Sequence, residues 1–396
     1  MVNWRMIGIG IYAIGLLVAG VYGLVAMTST PQAQFSSTSC TDAGLAAGAL
    51  PTCLPSETIA ETGSALMYPL INLWIHNTDQ GHSVPDFNTL YSNVAINTVN
   101  SGSGVGILYA ENRQVQLGAS SAFLSDSEQG RNPNLLNIAV AVTAVIVNYN
   151  LPGFSSNVHL NFTGTVLSEM YNGTISSWDD SRIKEINPGA VNLLPARTVR
   201  PVHRSDASGD TLHFTEYLSR SDLWWNKNVG YGLTVSWPNP IGNTADSIIG
   251  NPGIVIESGA TPYSVSYVSV EALDLALNTY KLGAGYVYNH DGKFVSYSAQ
   301  NIEAGLAPIF SHTPPDERIS LTLSPGADAY PMVNYSYFLV QKNQQSSDLA
   351  LTIRTFLKYA ISSHYGNSGA VLDRYHFLPL PSFVANLSLN QINQIH

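Results

Sequence analysis

Short apolar, β-rich runs alternate with helical stretches along most of this chain, and that alternation narrows the possible folds most. Residues 94–99 (VAINTV), 115–119, 138–148 (IAVAVTAVIVN), 198–203, 264–270 and 336–340 read as strands. Residues 66–75, 105–112, 165–171, 211–218, 270–277 and 348–361 read as helices. The pattern predicts an α/β fold with largely parallel sheets. In such sheets ligands bind at the carboxyl ends of strands, where helices begin. The residues from 57 onward are too many for one small core and suit two lobes.

Three of the expected strand–helix junctions share a composition. Arg204-Ser205-Asp206-Ala207-Ser208-Gly209-Asp210-Thr211 links the run at 198–203 to a helix start. A strand that ends in a Ser/Gly turn and feeds a helix leaves several N–H groups pointing into one small space, where the helix dipole favours an anion. Arg204 adds a full positive charge, and Asp206 is near enough to orient it. Glu61-Thr62-Gly63-Ser64-Ala65-Leu66 and Asn100-Ser101-Gly102-Ser103-Gly104 offer small residues and a hydroxyl in the same setting. Taken singly, Ser64, Ser101 and Asp206 could equally be helix caps, and Arg204–Asp206 a surface ion pair. Three such loops in one chain point to convergence on one oxyanion.

The chain start sets an expected compartment. Residues 6–27 carry no charge, and at about 1.5 Å per residue they span roughly 33 Å, one bilayer crossing. The run exceeds the usual signal-peptide core and no clean cleavage site follows, which favours an uncleaved anchor; a signal peptide is the alternative. Cys40 and Cys53 are the only cysteines, and in an oxidising compartment they would close one disulfide loop. Sequons at Asn161, Asn172, Asn334 and Asn386 suit an extracellular, glycosylated chain. The 17 Lys+Arg against 27 Asp+Glu give a net charge of −10, which disfavours nucleic acid as a partner. The 10 histidines show no metal-ligand spacing, and there is neither a Gly-x-Ser-x-Gly elbow nor a His-Glu-x-x-His helix, so an enzyme is not expected.

Longer stretches sharpen this reading. GSALMYPLINLW (63–74), NSGSGVGILYAENRQVQLGASSAFLSD (100–126), MYNGTISSWDDSRIKEINPG (170–189), HRSDASGDTLHFTEYL (203–218), NKNVGYGLTVSWP (226–238) and FLPLPS (377–382) occur in order. Through them the chain, from about residue 57 to its end, resembles the phosphate-binding proteins of bacterial and archaeal phosphate ABC transporters. The resemblance implies a type II periplasmic-binding-protein fold, with lobe 1 over 57–140 and 331–396 and lobe 2 over 141–330. Two strands, near 138–148 and 330–340, would cross the hinge. A cytoplasmic tip (1–5), a transmembrane helix (6–27) and a Ser/Thr/Pro linker (28–56) would precede the lobes. It further implies inorganic phosphate as ligand, an ABC permease with separate ATPase subunits as partners, and no cofactor or metal.

The resemblance also assigns residues. Arg204, Ser208 and Gly209 take the places of the family's phosphate-binding arginine, serine and glycine N–H. Asp206 takes that of the aspartate paired with the arginine. Ser101 matches the hydroxyl donor of the second loop, and Leu66 a backbone N–H donor. Ser64 would supply the neighbouring hydroxyl, because Ala65 stands where threonine is common. Two positions depart from the family. Ser121 replaces a carboxylate that accepts a proton from phosphate, and Asp210 replaces a threonine. The expectation is that the acceptor has moved from position 121 to Asp210; the alternative is that Asp210 only favours the first helical turn. Another oxyanion such as sulfate, or a structural accessory role in a membrane or cell-surface assembly, are the competing functions.

Overall fold

The computed structural model describes residues 49–76, 84–154, 158–238 and 248–396. The expected tip, the expected transmembrane helix over 6–27, Cys40 and most of the linker lie outside the described residues. Among the described residues no helix is long and apolar enough to cross a membrane.

One strand organises the rest. Its sequence, LLNIAVAVTAVIVNY, is an almost unbroken apolar and β-branched run, the pattern of a strand covered on both faces. It forms a 15-residue strand, Leu135–Tyr149, in which every residue is buried. The strands are β1 (Thr58–Gly63), β2 (Ala95–Asn100), β3 (Leu117–Ser120), β4 (Leu135–Tyr149), β5 (Asn161–Phe162), β6 (Arg200–Pro201), β7 (Ser264–Ser269), β8 (Gly283–Ala284), β9 (Tyr286–Tyr288), β10 (Phe294–Val295) and β11 (Val333–Gln341). The main sheet runs β2-β1-β3-β11-β4-β7-β6, with β8 beside β4, and β10-β9-β5 form a small second sheet. The N-terminal part of β4 pairs with β11, from Leu135↔Gln341 to Ala144↔Val333. Its last residues, Val145–Tyr149, pair with β7. A single strand is thereby shared by two halves of the sheet.

Two hydrophobic cores flank that strand. One gathers Trp74, Phe87, Phe338, Phe356 and Tyr359 with β1 and the helices Tyr68–Ile75 and Ser347–Ile361. The other gathers Tyr149, Phe162, Trp178, Phe214 and Tyr267 around β7 and the helix Gly209–Ser221. β4 feeds both: Leu136, Ile138, Val140 and Ala141 enter the first, and Ala139, Val142 and the run Ala144–Val147 the second.

Several expectations change. The sheet is mixed rather than largely parallel. β1 is parallel to β2 and β3, and β6 to β7, but β11 is antiparallel to β3 and β4, and β4 to β7. An apolar run records burial and carries no information about direction. The strand expected over 198–203 shrinks to Arg200–Pro201 at the end of the sheet, since proline cannot donate to a ladder. The helix expected over 270–277 is a 3-10 turn, Val270–Ala272, followed by a wide turn over Leu275–Thr279 that the Tyr280 N–H closes on the Leu275 carbonyl. β1 and the helix Gly250–Ala260 were not legible, the first because Glu61 and Thr62 break its apolar run, the second because of its glycines and proline.

The expectation of a glycan at Asn334 is corrected. Asn334 lies on β11, is 1% exposed, and donates its amide to the Ser121 carbonyl. A sugar on that nitrogen would require opening the sheet core. Asn161 is half-buried and donates to the Ile186 carbonyl at 2.9 Å. Asn386 is exposed and Asn172 half-exposed.

Two acidic side chains sit inside this frame. Glu317 is fully buried, accepting from the Ala139 N–H at 3.1 Å and Ser388 Oγ at 2.7 Å. Glu61 on β1 accepts from Thr98 Oγ1. Burial pushes each carboxyl up to about 8. A folded pKa above the unfolded one adds stability that is full below about pH 4.5 and is lost as pH rises towards about 8. Urea midpoints should therefore fall between pH 5 and pH 8, by on the order of a few kcal/mol in unfolding free energy. Glu317→Gln should flatten part of that slope, and an unchanged slope in this variant would contradict the assignment.

Candidate functional site

The site forms where three chain segments meet at strand ends. β1 ends at Gly63, with φ +146, and a Cβ there would lie 2.0 Å from the Ala119 carbonyl oxygen. Only glycine lets the two strand ends approach this closely. The chain then turns, with the Ser64 N–H donating to the Ala119 carbonyl at 2.9 Å. β2 ends at Asn100, and the Ser101 and Gly102 N–H groups both donate to the Gly63 carbonyl, at 3.0 and 2.8 Å. The helix Ser103–Glu111 follows at once.

From the other side comes the Arg204 loop. Ser208 is the N-cap of the helix Gly209–Ser221, its Oγ accepting from the Asp210 N–H at 3.2 Å. The first turn of such a helix has N–H groups without partners inside the helix. That turn lies directly against Ser121: a Cβ on Gly209 would sit 2.4 Å from Ser121 Cβ. Ser121 is fixed at each of its polar atoms. Its hydroxyl bonds Ser64 Oγ at 2.7 Å, its N–H donates to Ser103 Oγ at 3.1 Å, and its carbonyl accepts from His213 Nε2 at 2.6 Å and from Asn334. Burial holds the His213 pKa low, opposed by the bond to that carbonyl. The ring is therefore neutral, with its proton on Nε2 because a carbonyl faces it.

Ser64, Ala65, Leu66, Ser103, Ser121, Arg204, Ser208, Gly209 and Asp210 line a tight polar chamber. Its walls leave no room for a free water molecule in this arrangement, so it suits at most a small anion held directly by the lining groups and excludes anything of drug size. Of the residues singled out in the sequence, one falls outside the wall. Ser101 Oγ bonds Thr62 Oγ1 at 2.7 Å instead. The hydroxyl that this loop presents is Ser103, two residues on, at the start of the helix. Serine at both positions hid the choice, which depends on where the helix begins.

The electrostatics are unusual for so buried a place. Arg204 donates Nε–H to Asp206 Oδ1 at 2.6 Å and Nη2–H to Asp206 Oδ2, so the pair is bidentate. Both side chains are largely buried, which excludes a surface pair. Burial opposes the charge on Arg204, yet the Asp206 pair outweighs it and its pKa stays above the ordinary value. Asp210 Oδ2 lies 3.9 Å from Arg204 Nη1. That oxygen is buried with no hydrogen-bond partner. Buried carboxylate oxygens are costly to leave unpaired; this one faces a chamber lined with hydroxyls, as if awaiting a donor. Among the described residues no group of His, Cys, Asp and Glu is arranged to hold a metal ion.

Three residues around the chamber were not read from the sequence: Ser103, His213 and Asn251. Asn251 lies in the unrecognised helix Gly250–Ala260 and accepts from Arg204 Nη1. His213 follows Asp210 by three residues, one helical turn, which was the available signal.

The PBP superfamily domain matches residues 51–364. The phosphate-binding protein PstS of Methanocaldococcus jannaschii is 32% identical over 353 residues, spanning 85% of this chain and 86% of the relative. The phosphate-binding protein PstS of Xylella fastidiosa is 28% identical over 326 residues, 82% of each chain. A crystal structure of the phosphate-binding protein from Stenotrophomonas maltophilia shares the fold at a TM-score of 0.62 and 16% identity, covering 84% of this chain and 93% of that one. Matched along most of its length in sequence, and in fold by a solved structure, the chain belongs to the PstS family of phosphate-binding proteins within the PBP superfamily.

Proposed function

We propose that this protein is an extracytoplasmic solute-binding protein, not an enzyme, that captures inorganic phosphate in the chamber and delivers it to an ABC permease. The observation that carries the reading is the unpartnered Asp210 oxygen within a wall of neutral donors and one charge-compensated arginine. Monobasic and dibasic phosphate both keep an O–H that can donate to Asp210. Sulfate has none at neutral pH and would set two anionic oxygens against each other. The remaining phosphate oxygens accept from Ser64, Ser103, Ser208, the N–H groups of Leu66 and Gly209, and Arg204. In this reading Asp210 does, from the other lobe, the work that the resemblance assigns to a carboxylate in place of Ser121.

In this reading the site closes by a hinge. Lobe 1 (57–140 and 331–396) carries Ser64, Leu66 and Ser103, and lobe 2 (141–330) carries Arg204, Ser208 and Gly209. β4 and β11 are the crossing strands. The contact of Gly209 with Ser121 then belongs to the closed form. Residues 6–27 hold the protein at the membrane with the main domain outside. Cys40 and Cys53 pair in the linker, and Asn172 and Asn386 are the accessible sequons.

Isothermal titration of the soluble part, residues 57–396, tests this reading. Phosphate should bind with sulfate far weaker, and no heat with either anion would overturn the function. Asp210→Asn should narrow the phosphate-to-sulfate affinity ratio by about 100-fold, because an amide can donate to sulfate where a carboxylate repels it. An unchanged ratio would return Asp210 to a helix-end role. Gly209→Ala should weaken phosphate binding by at least about tenfold, since its methyl would hold the helix off Ser121. The ligand-free melting temperature should stay near wild type, because only closure brings that contact about; an equal loss in both would place the effect on folding.

A further inference from the structure

The Arg204 guanidinium has five N–H donors, and the structure accounts for three. Nε–H and one Nη2–H go to Asp206, and one Nη1–H goes to Asn251 Oδ1. One donor on each terminal nitrogen remains. Nη1, at 3.9 Å from Asp210, is the one facing the orphaned carboxylate oxygen.

Asn251 is 1% exposed and sits in the first turn of the helix Gly250–Ala260, entered through Gly250 at φ +71. Its amide nitrogen donates to Glu271 Oε1 and to Ser269 Oγ, the latter at 3.3 Å. That donation fixes which end of the amide faces Arg204: the oxygen does. The other Glu271 oxygen is buried with no hydrogen-bond partner. Burial first, and the charge on Asp210 second, hold the Glu271 carboxyl well above the usual carboxylate range. A second layer therefore stands behind the arginine, running Glu271–Asn251–Arg204, with a neutral amide between the carboxyl and the guanidinium.

We infer that Asn251, oriented by Glu271, is a positioning residue for anion capture: it holds Arg204 with a neutral acceptor, adds no further negative charge to it, and leaves two of its N–H groups for phosphate. The neutrality matters more than the hydrogen bond. Asp206 already offsets one positive charge, and Asp210 brings a second negative one to 3.9 Å. A third carboxylate on Nη1 would compete directly with the ligand, at a buried place where charges are poorly screened. The layer also keeps the guanidinium plane fixed, so its free N–H groups need no reorientation when the anion arrives.

This inference rests on the anion-binding reading, and the experiment separates the two. Phosphate affinity is measured by titration calorimetry on wild type, Asn251→Ala, Asn251→Asp, Glu271→Gln and Glu271→Ala, with ligand-free melting as a check of folding. Wild type without phosphate binding sinks the function, whatever the variants do. Given wild-type binding, Asn251→Ala should weaken phosphate about tenfold, the loss of one bond to a charged group. Asn251→Asp keeps the shape and an acceptor on Arg204, yet should weaken binding at least another tenfold. A merely structural asparagine predicts the reverse order, and that order would overturn the inference. Glu271→Gln should stay within about threefold of wild type, while Glu271→Ala should weaken phosphate about tenfold by releasing the amide. These two variants decide the matter if Asn251→Asp does not fold, and equal affinity in both would overturn the inference.

Discussion

The antiparallel pairing of β4 with β11 is the constraint on which everything else rests. β4 is buried along all its 15 residues, and its side chains fill two different cores. Neither core can be rearranged without disturbing the strand they share. Among the described residues the sheet half carrying β1, β2 and β3 is joined to the half carrying β6 and β7 through β11 and β4. The strand ends that build the chamber come from both halves. Their approach, close enough that Gly209 has no room for a side chain against Ser121, is a consequence of how this pair positions them.

Within that frame the chamber handles charge by compensation rather than by accumulation. The protein carries a net charge of −10, so long-range attraction does not draw an anion in. The local arrangement works against that field with dipoles and hydroxyls, and with one arginine whose charge is already shared with Asp206. Such a site distinguishes anions by their hydrogen-bond donors more than by their charge. The orphaned oxygen of Asp210 and the neutral amide of Asn251 are two sides of one balance. The first asks the ligand for a proton, and the second avoids adding a further carboxylate to the arginine.

Ser121 ties the segments of the site together. It is bonded at its N–H, its carbonyl and its hydroxyl. Each of those bonds joins a different segment: the loop after β1, the start of the helix Ser103–Glu111, the helix Gly209–Ser221 and β11. The part those bonds give the residue is structural. Asn334, whose sequon suggested an external sugar, is spent on the same carbonyl.

The strand–helix alternation, the three Gly/Ser loops and the Arg204–Asp206 pairing were all legible in the sequence. They depend on local composition, on periodicity and on residues two positions apart. What tertiary structure decided was anything set by approach between distant segments. The direction of β11 between β3 and β4 is one such case, because apolarity records burial without orientation. The choice of Ser103 over Ser101 is another, since it turns on where the helix starts once β2 has docked beside β1. Asn251 and Glu271 are a third. They lie 47 and 67 residues beyond Arg204 in a segment broken by glycine and proline, and only the packing of that helix against β7 brings them behind the guanidinium.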